Sequence, residues 1–186
     1  MACTDKISVD ILNDCDSNPV AGYEAKAWAI NRGDISLLTL DVTYTNLISA
    51  ITMTGATVAY AVTAVKKEMN GGFDLSVADN IPDTFLHYFA FQPFEKTAQA
   101  IANVDDMNDL VIIAELKGAK TEGCFVVLGA ELGLYKSSAS QRQNDNSGLP
   151  TYEFSSMEGQ GERYGRFLFW DTNYATTKLA LVALET

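Results

Sequence analysis

His87 is the one histidine of the chain and Cys124 one of three cysteines, so the pair is the first place to look for a nucleophilic dyad. Their surroundings argue otherwise. Cys124 heads the apolar run Cys124-Phe125-Val126-Val127-Leu128, where a thiol stays protonated and inert, and His87 shares a strand face with Phe85, Phe89 and Phe91. Both read as core residues, and no third residue stands out to orient an imidazole. Asp10, Asn13, Asp14, Asp16 and Asn18 form an oxygen-rich patch. Laid on the calcium-loop spacing, Pro19 falls where glycine is needed and Ala25 where a bidentate glutamate should be, so the patch reads as a solvated turn. Gly159, Gly161 and Gly165 lack both the lysine and the following helix of a phosphate loop, because Phe167 to Trp170 reads as a strand. Glu153, Glu158 and Glu162 could be paired as glycosidase carboxylates, but among 24 acidic residues such spacings arise by chance. The inventory therefore points to no enzyme, no metal and no cofactor.

The elements that must carry these residues are mostly strands. Ile7, Val9 and Ile11 alternate, as do Tyr23, Ala25, Ala27 and Ala29, then Leu38, Leu40 and Val42, then Val58, Tyr60, Val62 and Ala64. Leu110 to Ala114, Cys124 to Leu128 and Phe167 to Trp170 are short continuous apolar runs, which predicts strands buried on both faces, and Leu179 to Leu184 predicts a closing strand. One segment reads as a helix, from about Phe94 to Asp106, with Phe94, Ala98 and Ile101 on its apolar stripe and Pro93 just before it. The predicted fold is mainly β: a β-sandwich with one flanking α-helix, a single domain over residues 1–186.

Thirteen basic against 24 acidic residues give a net charge of −11, which excludes nucleic-acid binding by counterion release. No window approaches the length of a membrane span, and Met1 to Lys6 lack the pattern of a signal peptide, so the expectation is a protein made in a cytoplasm with free thiols and no membrane partner. Ser137 to Pro150 reads as a long polar loop, and loops of that length usually bind or assemble.

The second half carries a resemblance. Its order runs from Phe94-Glu95-Lys96-Thr97-Ala98-Gln99 through Leu110-Val111-Ile112-Ile113-Ala114-Glu115-Leu116. It continues through Cys124-Phe125-Val126-Val127-Leu128-Gly129-Ala130-Glu131-Leu132-Gly133-Leu134-Tyr135 to Tyr152-Glu153-Phe154-Ser155-Ser156-Met157-Glu158-Gly159. This texture resembles structural proteins of tailed bacteriophages, especially tail tube proteins and ring or connector proteins of the Bacteroidetes-phage type. The resemblance implies a virion protein, assembled in the host cytoplasm into six- or twelvefold homo-oligomeric rings that meet other tail or connector proteins. DNA would pass through such a ring without specific binding. Six subunits giving four strands each, at ~4.8 Å spacing, would make a wall with a bore of roughly 37 Å. A negatively charged wall would repel phosphates, and Asp41, Asp74 and Glu153 are the acidic residues expected to line it.

Two contact regions follow as expectations. Gln141, Arg142, Gln143, Asn144, Asp145 and Asn146 form the core of the assembly loop, with Arg142 suited to a bidentate acidic partner. Phe94, Ala98 and Ile101 form the helix contact, against a sheet of the same or an adjoining subunit. The alternative function is a carbohydrate-binding or adhesive β-sandwich that uses Tyr23, Trp28, Tyr164, Trp170 and Tyr174 as a stacking platform. A hydrolase built on Glu153, Glu158 and Glu162 ranks third.

Overall fold

Period-two alternation and short apolar runs become eleven strands in the computed structural model, which describes residues 21–64, 69–77, 82–93, 97–118, 120–142, 144 and 149–186. In chain order these are β1 (Tyr23–Asn31), β2 (Ile35–Leu40), β3 (Leu47–Met53), β4 (Tyr60–Thr63), β5 (Asn70–Ser76) and β6 (Thr84–Phe91). After the helix α1 (Ala98–Asp106) come β7 (Leu110–Leu116), β8 (Phe125–Leu128), β9 (Tyr135–Ser140), β10 (Thr151–Ser155) and β11 (Phe167–Phe169), and the helix α2 (Tyr174–Ala183) follows. The candidate strand at Ile7 to Ile11 and the patch from Asp10 to Asn18 lie outside the described residues.

Seven strands form one sheet in the order β2-β3-β11-β8-β7-β1-β4, and four form a second in the order β5-β6-β10-β9. Only the β11–β3 pairing is parallel among those described. The apolar runs at β7 and β8 are explained by burial on both faces. Leu110, Ile112, Ala114, Val126 and Leu128 pack toward the four-stranded sheet, meeting Phe89, Phe91, Tyr152 and Phe154. Val111, Ile113, Phe125 and Val127 point the other way and are covered by α2 through Leu181, Tyr174, Ala180 and Leu184. The architecture is thus mainly β, a sandwich of two sheets with helical cover.

Leu179 to Leu184, expected as a strand, belongs to α2. The reason is local: the Asn173 side chain accepts from the Thr176 N–H and the Thr176 hydroxyl accepts from the Asn173 N–H, a reciprocal cap that starts a helix. Thr177 and Leu181 are its buried residues, while Ala175, Leu179, Val182 and Ala183 face outward, so apolar residues on both sides conceal the 3.6-residue period.

The helix α1 starts later than its sequence pattern suggested. Thr97 caps it, accepting from the Ala100 N–H at 3.3 Å, and Phe94 lies outside the described residues. Within the chain its packed side is Val104, with Met107 at its end, set against the inter-sheet core, and Ala98 and Ile101 face solvent. The expected stripe runs on into Asp105, a carboxylate that cannot be buried without a partner, so that side turns to water. Ala98→Leu should therefore leave the melting temperature of the isolated subunit unchanged, whereas Val104→Ala should lower its stability by about 1 kcal/mol; paired calorimetric scans would check both.

The long polar loop also begins later than expected. Ser137 to Ser140 belong to β9, which among the described residues pairs with β10 on one side only and is exposed along most of its length. An edge strand need not alternate in apolar character, and this one has no such alternation to read.

Candidate functional site

The four-stranded sheet has one buried and one outward face, and the register sorts them. Phe85, His87, Phe89 and Phe91 of β6 face the core with Tyr152 and Phe154. Asn70, Asp74, Thr84, Leu86, Tyr88, Ala90, Thr151, Glu153, Ser155, Ser138 and Ser140 take the alternate positions across the four strands. Glu153 pairs with Ala90 on one side and Ser138 on the other, and Asp74 pairs with Leu86. Among the described residues this outward set holds two carboxylates, small polar groups, the larger Leu86 and Tyr88 with Ala90, and no lysine or arginine. Asp41 is elsewhere: it caps the β2–β3 turn, its carboxylate accepting from the Thr43 and Tyr44 N–H groups at 2.8 and 2.9 Å, and those bonds hold its pKa below the ordinary value.

Both edges of this sheet, β5 and β9, are unpaired on one side among the described residues. Beside the β5 edge, Leu75 is 55% and Val77 70% exposed. At the far edge of the larger sheet the β2–β3 turn presents Val42, 99% exposed, and Tyr44. Open edges flanked by bare apolar side chains are surfaces at which chains associate.

A second arrangement sits at one end of β6. His87 is fully buried; its Nδ1 accepts from the Gly129 N–H at 3.1 Å, which leaves Nε2 to donate to the Tyr164 carbonyl at 2.8 Å. Burial lowers the imidazole pKa, opposed by the Tyr164 carbonyl and the charge of Glu131. Glu162 is buried completely as well. Its carboxylate accepts from the Glu131 N–H at 2.9 Å and the Leu132 N–H at 2.9 Å, while its own backbone exchanges two hydrogen bonds with Phe85. Burial raises its pKa, and the two N–H groups pull it back. Glu131 in turn forms an ion pair with Arg163. The 129–133 turn that supplies these N–H groups is tight, with Gly129 and Gly133 both at positive φ. A Cβ on Gly133 would fall 2.1 Å from Asp109 Oδ1, which is held by Arg32 through a two-pronged pair at 2.7 and 3.0 Å.

On the opposite side of the larger sheet, Tyr174 donates to Glu115 at 2.6 Å, and Lys178 donates to Glu115 at 3.0 Å and to the Tyr174 oxygen at 2.9 Å. The three fasten α2 to β7. Cys124 is buried beside them with its thiol pushed up to about 11, first by burial and then by the Glu115 charge. His87 packs between the sheets and Cys124 within the cluster under α2, so the larger sheet separates them and the fold forms no dyad from them.

Other candidates disperse. Glu153 lies on the outward face of the four-stranded sheet, Glu158 is exposed in a turn and Glu162 is buried, so the three carboxylates do not share one accessible cleft. Tyr23 and Trp28 are buried on opposite faces of β1, and Tyr164, Trp170 and Tyr174 pack against the cluster under α2. Tyr23 and Trp28 thus belong to the two cores, and Tyr164, Trp170 and Tyr174 are half-buried against one of them. Gly159, Gly161 and Gly165 precede strand β11, as expected. In the assembly loop, Gln141 and Arg142 follow β9 at the surface and Asn144 sits in a turn; Gln143, Asp145 and Asn146 lie outside the described residues. Glu162, named from the sequence only as a candidate hydrolase carboxylate, is the residue whose burial against a turn sequence reasoning missed. Its only signal was a carboxylate one position before Arg163 in a glycine-rich segment, which is also what a solvated loop looks like. Among the described residues no three His, Cys, Asp or Glu side chains gather as a metal site, and no helix is long and apolar enough to cross a membrane. No family model, no curated protein and no solved structure matches the chain.

Proposed function

We propose that this chain is a structural subunit of a tailed-bacteriophage virion, closing with copies of itself into a ring that lines a channel for DNA, as a tail tube or a head-to-tail connector. The observation that carries the reading is the four-stranded sheet β5-β6-β10-β9, which among the described residues has two open edges and an outward face that holds Asp74 and Glu153 and no basic residue. Joining the β5 edge of one copy to the β9 edge of the next removes both edges and covers the apolar side chains beside β5. Four strands per copy is the number that a sixfold wall with a bore of roughly 37 Å requires, at ~4.8 Å between strands. Phosphates sliding past such a face meet repulsion, and among its described residues they find no ammonium or guanidinium to hold them. Gln141 and Arg142, which follow β9, and the rest of the expected loop to Asn146 would contact the adjoining copy or ring.

Negative-stain electron microscopy and size-exclusion chromatography of the purified protein test this directly. Wild type should give rings or tubes with a central hole, and Leu75→Lys, which places a charge beside the joining edge, should give monomers of unchanged melting temperature. Monomeric wild type at every concentration, together with its absence from rings in the parent particle, would remove the reading.

A further inference from the structure

We propose that His87 and Glu162 form one protonation-dependent clamp that holds the 129–133 turn and the 160–165 segment against the end of β6, and that mild acid opens it. The inference stands on the geometry of one subunit and does not depend on the ring. Three N–H groups of a single turn, those of Gly129, Glu131 and Leu132, converge on two buried titratable side chains. The second segment gives the Tyr164 carbonyl to His87 and the Glu162 backbone to Phe85. β6 is itself pinned there, because the His87 N–H donates to Ser156 Oγ at 3.0 Å and the Ser156 N–H donates to the His87 carbonyl at 2.8 Å.

The histidine contact needs one protonation state. With Gly129 donating to Nδ1, the ring must be neutral and carry its proton on Nε2. A second proton, on Nδ1, would set two donors face to face at 3.1 Å in a site closed to water. Glu162 is less exacting, since a protonated carboxyl still has an oxygen that accepts from the turn. The charged groups around the pair are few. Glu131 acts on both and is itself neutralised by Arg163; Arg32 acts on Glu162 and is held by Asp109.

The directions of titration then set the response. The folded pKa of His87 lies below its ordinary value of 6.5, so its contribution to stability is present above that value and is lost as pH falls through the folded value. The folded pKa of Glu162 lies above its ordinary 4.5, so its contribution runs the other way, fully present below 4.5 and lost as pH rises through the folded value. Opening in acid is therefore a property of the imidazole. The segments it releases carry Glu131 and Arg163, which with Ile35, Leu38 and Phe167 line a cavity of about 360 Å³ beside β2.

Because the chain has a single histidine, nitrogen NMR of the imidazole is unambiguous. At neutral pH the signals should be those of the Nε2–H tautomer. On acidification the exchange protection of the Gly129, Glu131 and Leu132 amides, corrected for intrinsic rate, should fall by up to about tenfold per pH unit as pH drops from the ordinary histidine value of 6.5 toward the folded pKa of His87, and level off below it. His87→Gln, whose amide can accept from Gly129 and donate to Tyr164 without titrating, should show no such loss of protection in acid. An imidazole that titrates while Gly129 keeps its protection would overturn the clamp, and so would an equal loss in His87→Gln. Should that variant fail to fold, the wild-type titration decides alone, since the Gly129 amide must track the ring.

Discussion

Rings assembled from a subunit carrying Asp74→Lys and Glu153→Lys should retain double-stranded DNA that wild-type rings release. Each substitution exchanges one negative charge for one positive charge, so a sixfold ring gains about 24 charges along the path of the phosphates. Asp74 is on edge strand β5 and Glu153 on inner strand β10, both on the outward face, so the added ammonium groups form two rows along the wall. If about six phosphates are neutralised, affinity should fall by roughly a thousandfold between 50 and 200 mM salt, the signature of counterion release. Fluorescence anisotropy of a labelled duplex across a salt series would read both affinity and slope. Glu158→Lys with Asp41→Lys is the matched control: it changes the total charge equally, but in turns away from that face. DNA retention equal in both double variants would mean that net charge matters and the outward face does not. No retention in either would separate this sheet from the channel.

The largest loss of stability should come from Phe154→Ala. Phe154 is fully buried and lies almost parallel to Phe91, with ring centroids 6.1 Å apart and planes 9° apart; Phe91 also contacts Tyr152 and Phe89. These rings supply most of what the four-stranded sheet presents to the larger one, and removing one leaves a void between two layers that cannot both close over it. The expected cost is about 3–5 kcal/mol, a large share of the 5–15 kcal/mol that typically holds a folded protein together. For a chain of this size that lowers the melting temperature by roughly 6–20 °C, as read by calorimetry. Leu37→Ala, at a site 58% exposed on edge strand β2, should shift it by no more than a degree or two. Comparable shifts in the two variants would show that the sheets are not held together through the aromatic face.

Much of the fold was legible along the chain. The aromatic alternation of β6 and the unbroken apolar runs of β7 and β8 each report one local fact, which residues leave water, and period two or its absence translates that fact into strands with one or two buried faces. The same reasoning placed His87 and Cys124 in the core, where both are fully buried. It failed where local pattern is silent. The helix α2 is apolar on both sides, and its start depends on a cap between Asn173 and Thr176; β9 is polar because it is an edge; the stripe expected on α1 runs on into Asp105 and faces water.

By its residue types alone, then, this sequence determined a β-rich, strongly acidic chain with one buried imidazole and inert thiol surroundings, because periodicity and charge depend only on near neighbours and composition. Only the tertiary structure decided that Asp74 and Glu153, far apart in the chain, share an outward face, that Glu162 is buried against a turn some thirty residues before it, and that β11 runs parallel to β3. Those are matters of register and of sheet membership. A shift of one residue would turn every side chain of a strand to its other face, and which shift prevails is set by the packing of whole layers, which no local stretch of sequence contains.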